Sequence, residues 1–348
     1  VEKNATAPKP SLGRRILGFL ADGILRIVLL VLAALATTAL ALGNFPGHEI
    51  AAVAFAIGAL YVQVRVKPWW MRAAVTLAGF ALVAWWFAGV EASNEGNWQV
   101  DVSRPPRVVI DGDKVAVRSV RTFDWTSADA ADKPTWEERT YDLSKLDSAW
   151  LALSYWDGNR DICHTMLSFG FSDGRYLAAS VETRKQVGQE YSAWRGFFKQ
   201  FALIYVLADE RDVFRVRTNK RAEDMYLYRL RLSPEDRRRV AEKILRETEN
   251  VSANAAWYGG IRRNCTTALT ADLHEALNVS PPFSMKRFLN GHIDELAYEN
   301  GSIANDKPFD EIRAASRITD AAKAADADPD FSKRIRAKLP VPSDPAKR

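Results

Sequence analysis

Three apolar runs occupy most of the first ninety positions, and beyond Asn97 the pattern changes to short alternating segments separated by turn residues. Residues 23–43 are almost wholly apolar, interrupted by Arg26 near one end. About twenty such residues in a helix cross a bilayer core of roughly 30 Å. The run is too long for a signal-peptide core and lacks a convincing cleavage site, so it reads as an anchor. Residues 50–66 and 73–90 are shorter runs near the lower limit for a span, and Trp69, Trp70, Trp85 and Trp86 suit interfacial belts. The pattern predicts a polar, disordered segment over 1–13 and a transmembrane region over 14–92 with three spans. The alternative for the second run is a re-entrant or interfacial segment.

Flanking charge sets an orientation. Lys3, Lys9, Arg14 and Arg15 precede the first run, and Arg65, Lys67 and Arg72 lie between the second and third, whereas residues 44–49 carry no Lys or Arg. Under the positive-inside rule the N-terminus is cytoplasmic, and an odd number of spans delivers everything after Val90 to the outside.

The remainder reads as α+β over 97–310. Residues 107–117 form a hairpin around Asp111-Gly112-Asp113, 148–155 a buried strand, and 162–171 with 176–184 a second hairpin. Residues 201–208, 213–217 and 225–232 have strand composition. Ser233 and Pro234 supply the N-cap and first position of a helix to about residue 250. Leu269, Leu273 and Leu277 recur at helical spacing behind Asn264, a good N-cap, so a second helix opens at Cys265. A short helical stretch is expected after Pro281-Pro282, and the Ala-, Asp- and Lys-rich run 320–348 reads as a disordered tail.

Composition narrows the function. A net charge of +5 over 348 residues, without a basic stripe interleaved with aromatics, argues against nucleic acid. Two cysteines and four histidines without metal-ligand spacing argue against a metal, and nothing calls for a cofactor.

The candidate chemistry is a thiol. A helix N-terminus favours thiolate over thiol, and Arg262 and Arg263 push the same way. His164 is the candidate base. Leu167, Phe169 and Phe171 mark one face of its strand, which leaves His164, Met166 and Ser168 on the other. Setting Leu167, Phe169 and Phe171 against Val181, Ala179 and Leu177 implies a turn at Asp173-Gly174-Arg175 and brings Ser180 and Glu182 to the face of His164. Glu182 is then placed to orient the imidazole. The plain alternative is a half-exposed strand with polar residues on its wet face. Two cysteines outside the cytoplasm also pair most simply as a disulfide, although alternation points Cys163 away from the face of His164. The segment 209–221, with Arg211 and Arg215, suits a phospholipid head group, or else forms a solvated strand edge.

Several separated motifs resemble one family: His164 with Ser168-Phe169-Gly170-Phe171, Ser180-Val181-Glu182-Thr183-Arg184, Asp209-Glu210-Arg211-Asp212 and Asn264-Cys265-Thr266-Thr267. Together they resemble the periplasmic domain family of the bacterial lipoprotein N-acyltransferase Lnb. That family is similar to circularly permuted papain-like enzymes of the NlpC/P60 and lecithin–retinol acyltransferase type, in which His precedes the nucleophilic Cys. The resemblance implies a permuted papain-like (NlpC/P60-like) domain facing the periplasm from a multi-pass bacterial inner-membrane region. It implies Cys265 as nucleophile, His164 as base, Glu182 and Arg184 in the motif after the histidine, and Tyr258 with Asn264 near the oxyanion. The expected function is thiol-dependent acyl transfer through an acyl-enzyme, with membrane lipid or a lipoprotein as partner. The rivals are a peptidoglycan or peptide amidase, and a non-catalytic lipid- or partner-binding protein with a Cys163–Cys265 disulfide.

Overall fold

The computed structural model describes residues 11–260, 263–280, 284, 286, 290–326 and 328–341. The chain divides into two compact units between Glu91 and Ala92.

The first unit consists of α1 (Leu12–Ala41), α2 (His48–Arg65) and α3 (Trp69–Ala88). Among the described residues, α1 and α3 are long and apolar enough to cross a membrane. α2 has 18 residues and carries His48, Glu49 and Arg65 at its ends. α1 begins at Leu12, so helix replaces the last positions of the expected disordered segment, and residues 1–10 lie outside the described residues. Small side chains at Ala33, Ala36 and Ala39 of α1 are buried and let the helices approach closely, while Ile24, Ile27, Ile57 and Leu82 point outward. One polar cluster joins all three helices. Asp22 accepts from Arg26 at 2.8 Å and from the buried Arg72, Arg26 also donates to the Gln63 carbonyl at 2.6 Å, and Gln63 donates to Thr76 at 3.0 Å. Arg72 therefore belongs to a helix and an internal ion pair, not to the loop where its charge was counted.

The second unit is α+β. Among the described residues its strands are β1 (Arg107–Asp111), β2 (Lys114–Arg121), β3 (Trp136–Asp142), β4 (Leu146–Tyr155), β5 (His164–Phe171), β6 (Tyr176–Arg184), β7 (Ala202–Ala208) and β8 (Asp224–Arg229). They form one sheet in the order β1-β2-β7-β6-β5-β4-β8, with β3 on the far side of β2; β2 and β7 pair in parallel. Gly112 at φ +56° closes the first hairpin in two residues, Gly112-Asp113.

The central strands are buried on both faces. Leu151, Leu167, Ala179, Val181 and Tyr205 pack against α6 (Pro234–Ala253) and α7 (Cys265–Leu277). Alternate residues, among them Ala152, Met166, Ala178 and Val206, pack against Val213 and Phe214 of α5 (Glu210–Arg215), which follows the single turn α4 (Ala193–Gly196), and against Ile318, Ala322, Phe331 and Ile335. Those last residues belong to or flank α10 (Thr319–Ala325) and α11 (Phe331–Arg334), which follow α8 (Ile293–Glu299) and α9 (Phe309–Ala315). The expected disordered tail is thus a pair of helical turns over most of 319–341. Its few apolar residues fall at helical spacing and dock on a sheet face already formed. The compact unit correspondingly extends past residue 310. Residues 281–283 lie outside the described residues.

The segment read as a strand at 213–217 is also corrected. Asp209 accepts from the backbone N–H of Arg211 at 2.9 Å and caps α5, and the chain leaves through a wide π-type turn, Val216–Lys220. An Asp followed by acidic residues in the first turn is a helix start, and here it prevails over the β-branched composition.

Candidate functional site

Cys265 is the first residue of α7. The Asn264 side chain accepts from the N–H groups of Thr266 and Thr267 at 3.0 and 2.8 Å, and Thr267 Oγ1 accepts from the Asn264 N–H at 3.0 Å, a complete capping box. Asn264 Nδ2 is also committed, to the Gly260 carbonyl. Asn264 therefore positions the helix end, and one of the two Nδ2 N–H donors remains beyond the bond to Gly260.

Three side chains tie this helix end to the start of β5. Thr266 Oγ1 meets Thr165 Oγ1 at 2.6 Å, and Asn290 Nδ2 donates both to Thr266 Oγ1 at 3.0 Å and to the Cys163 carbonyl at 2.8 Å. Cys265 consequently sits where β5 begins and β6 ends. His164 is the first residue of β5 and Glu182 lies near the end of β6.

The observed hairpin register differs from the expected one by two residues. Met166 pairs with Ser180 and Phe169 with Leu177, and Gly174 at φ +86° is the last residue of a three-residue turn, Ser172-Asp173-Gly174. A two-residue slip conserves the faces, so Ser180 and Glu182 still share the side of His164. It also brings Glu182 directly across from His164 instead of diagonal to it.

The ring is held through Nε2. Nε2 meets Ser180 Oγ at 2.7 Å, Ser180 donates onward to Glu182 Oε1 at 2.7 Å, and Nε2 itself lies 3.1 Å from that oxygen. This leaves Nδ1 outside the contacts to Ser180 and Glu182, and His164 and Cys265 each stabilise the charged form of the other. Burial alone raises the thiol pKa, but the charge and hydrogen bond of His164 and the N–H of Thr165 overcome it and lower Cys265 to about 7. For His164, burial and Arg217 act downward, yet Glu182 and Cys265 prevail and raise it to about 9. Glu182 is held well below its usual value: burial opposes, and His164, Arg217 and Ser180 outweigh it. Thiolate and imidazolium are both populated between about pH 7 and 9.

Tyr258 is buried beside the thiol, and its hydroxyl accepts from the Cys265 N–H at 3.4 Å. The site opens into a cleft of about 520 Å³ lined by Trp156, Ile162, Tyr191, Phe197, Arg217 and Asn290 as well as the reactive pair.

Cys163 is a different thiol. It packs in the apolar core with Leu167 and Phe169, its sulfur contacts the Asn290 carbonyl at 3.2 Å, and burial raises its pKa far above the ordinary range. Both cysteines are free, so the disulfide alternative does not describe this structure.

The expected arginines are placed elsewhere. Arg184 is buried and bonds the Asn94 side chain and the Val102 and Ser103 carbonyls, stapling the entry segment of the domain to β6. Arg215 pairs with Asp124 at 2.5 Å and Asp326 at 2.7 Å. Arg211 lines a separate depression with Trp136 and Phe331. Arg263 pairs with Glu247 at 2.7 Å, away from the thiol, and Arg262 lies outside the described residues. Arg217 and Arg221 do reach the cleft, and Arg217 donates to Glu182 at 3.2 Å and to Glu223 at 3.0 Å, Glu223 in turn accepting from Ser154 at 2.6 Å. Arg217 was read only as one of the arginines of the basic segment 209–221, and Glu223 and Asn290 carried no local signal. The helix-start signature at Asp209 was the available clue, since reading 213–217 as a strand misdirected every arginine after it.

A cysteine at a helix start facing a strand-borne histidine, itself backed by a carboxylate, is the layout of a thiolate–imidazolium pair. The chain belongs to the family of the Lnb N-terminal periplasmic domain, whose model matches residues 132–309 and so spans every member of the pair and its support. No curated protein and no solved structure matches the chain. Family and helices together make this a membrane protein with a periplasmic domain.

Proposed function

We propose that the domain is a thiol-dependent acyltransferase of the lipoprotein-processing kind, and that the observation carrying this reading is the coupled Cys265–His164–Ser180–Glu182 chain at the floor of an open cleft. The Cys265 thiolate attacks the carbonyl of a lipid ester and forms a carbon–sulfur bond. The developing oxyanion takes hydrogen bonds from the Cys265 N–H and the Tyr258 hydroxyl, donors of a kind worth about 10²–10³ in rate each. The His164 imidazolium gives its proton to the departing alcohol oxygen as the ester bond breaks, leaving a thioester and a neutral imidazole. An amine or water then attacks the thioester, His164 accepts its proton, and the carbon–sulfur bond breaks to return the thiolate. Ser180 and Glu182 fix the ring and stabilise its charged form; Arg217 keeps Glu182 ionised.

Three features support the finer reading. The histidine strand precedes the cysteine helix, the order of permuted papain-like enzymes. The apolar helices favour a donor within the bilayer. α2, packed between neighbours of opposite direction, reads as a third span, which makes the region multi-pass in the inner membrane with a cytoplasmic N-terminus.

The test is intact mass of the full chain in phospholipid nanodiscs. An added acyl mass that maps to Cys265 and disappears in Cys265→Ser supports acyl transfer. A free, alkylatable Cys265 that never gains an acyl group rules it out. For topology, a reporter fused after Gly96 is expected to behave as extracytoplasmic; a cytoplasmic signal there sinks the three-span arrangement.

A further inference from the structure

The exposed aromatic residues of the domain are not scattered. Among the described residues after Glu91, the exposed large aromatics are Trp156, Tyr191, Trp194 and Phe197, and all four stand at the mouth of the Cys265 cleft or next to it. Trp156, Tyr191 and Phe197 line the cleft itself, as does the exposed Ile162. Val187, 61% exposed, and Trp194, 54% exposed, belong to the same β6–β7 connection as Tyr191 and Phe197. Single exposed apolar residues are ordinary on a protein surface; five gathered at one opening, with Val187 on the same connection, mark an interaction site.

The patch is also built. Trp194 packs on Phe198 with ring centroids 5.0 Å apart, and Tyr191 stacks on Phe201 at 5.8 Å. Phe198 and Phe201 are buried, so the outward rings stand on core residues and are held in place rather than collapsing inward. Tryptophan and tyrosine are the side chains that favour the boundary between head groups and acyl chains. The connection that carries them has Lys185, Arg195 and Lys199 against one acid, Glu190, an excess of positive charge suited to anionic head groups. The chain carries its own membrane-length helices, so a bilayer is always within its reach.

We infer that the β6–β7 connection, with Trp156 and Ile162 opposite, is a bilayer-docking rim that sets the cleft mouth against the lipid surface and lets an acyl chain slide from the bilayer to Cys265. This rests on the acyl-transfer reading for the role of the cleft, while the docking itself does not. The rim enters the interface, its cationic residues meet head-group phosphate, and the substrate ester reaches the thiol without crossing water.

Full-length protein in phosphatidylglycerol-containing nanodiscs tests it with two readouts. In discs whose acyl chains carry bromine, a contact quencher, Trp194 emission, obtained as the difference between wild type and Trp194→Phe, is expected to be quenched. Val187→Glu, on an exposed side chain outside the cleft, is expected to slow acyl-adduct formation from bilayer phospholipid at least tenfold. The same variant should leave reaction with the water-soluble ester p-nitrophenyl butyrate, and with iodoacetamide, within twofold. Unquenched Trp194 emission overturns the inference, including the case in which the chains are dimeric and a second copy covers the rim. Equal rates for wild type and Val187→Glu on bilayer phospholipid overturn it too. Quenched Trp194 in a wild type that forms no adduct with either ester leaves the docking standing and removes the acyl-transfer reading instead.

Discussion

Two serine–carboxylate–arginine sets lie on the same face of the central sheet and do opposite work. In one, Ser180 donates to Glu182 at 2.7 Å and Arg217 reaches Glu182 at 3.2 Å. In the other, Ser168 donates to Glu210 at 2.5 Å and Arg336 reaches Glu210 at 2.5 and 2.7 Å. The second set is sealed: Glu210 is fully buried, and the Arg336 guanidinium lies over the rings of Tyr176 and Trp150, 4.0 and 4.7 Å from their centroids. It holds neither a histidine nor a thiol and serves to fasten the C-terminal turns to the sheet. The first set sits where β5 begins and β6 ends, beside the open cleft, and there a histidine and a thiol join it. The same ionic kit is structural where it is closed in and reactive where a cleft reaches it.

Removing the ring should separate the two most sharply. His164→Ala is expected to lower Cys265 acylation by about 10²–10⁴, the usual worth of a positioned base, in an intact-mass time course. Arg336→Met should leave that rate within twofold yet destabilise the fold by about 3–5 kcal/mol, because Glu210 keeps a buried charge with no cation beside it. Thermal denaturation measures this, and Glu210→Gln in the same chain should restore part of the loss. Slow acylation in a folded Arg336→Met protein would mean that the two sets are one network and the contrast is false.

Much of this contrast was readable beforehand and some was not, for reasons of range. Period-two alternation in 162–171 and 176–184 placed His164, Ser180 and Glu182 on one face, and that survived a register shift because a slip of two residues conserves sides. Asn264 before a Leu repeat located the helix start, since capping is a local property of the chain. Arg217, Glu223 and Asn290 act through folding across long separations, which no local pattern encodes. The C-terminal turns were missed for a related reason: their composition is that of a disordered segment, and their order comes from a sheet face and from Glu210, both more than a hundred residues earlier. The arginines of 209–221 were drawn toward phosphate by charge alone, whereas Arg215 is committed to Asp124 and Asp326.

The pH response sharpens the same difference. The Cys265 thiol titrates lower in the fold than when unfolded, so its contribution is lost as pH falls through about 7; His164 titrates higher, so its contribution is lost as pH rises through about 9. Acylation should therefore follow a bell with a plateau between about pH 7 and 9. Iodoacetamide alkylation of Cys265 should show a midpoint near 7, moving up toward about 8.5, the ordinary thiol value, in His164→Ala. A wild-type midpoint at the ordinary value removes the ion pair. Ser168→Ala, in the sealed set, should leave both profiles unmoved.

The smallest effect belongs to the second cysteine. Cys163 adjoins His164 in the chain, yet its side chain turns into the apolar core, and its sulfur hydrogen-bonds the Asn290 carbonyl. A serine hydroxyl can donate to the same carbonyl from nearly the same position, so Cys163→Ser exchanges a weak donor for a stronger one at the cost of slightly poorer packing. The two terms oppose each other, and the melting temperature should shift by only a few degrees, a change of about 1 kcal/mol or less. Acylation should stay within twofold of wild type, because no hydrogen bond from the Cys163 side chain reaches His164 or Cys265. The Cys163 backbone carbonyl, which holds Asn290 and accepts weakly from the Cys265 sulfur at 3.9 Å, is retained by the substitution. Mass spectrometry after iodoacetamide should count one fast-reacting thiol in the folded wild type and one in Cys163→Ser. Loss of folding and acylation together in Cys163→Ser would show that this thiol matters through a bond to Cys265, and the separation of a reactive from a sealed side of the molecule would fail at the point where the two lie closest in sequence.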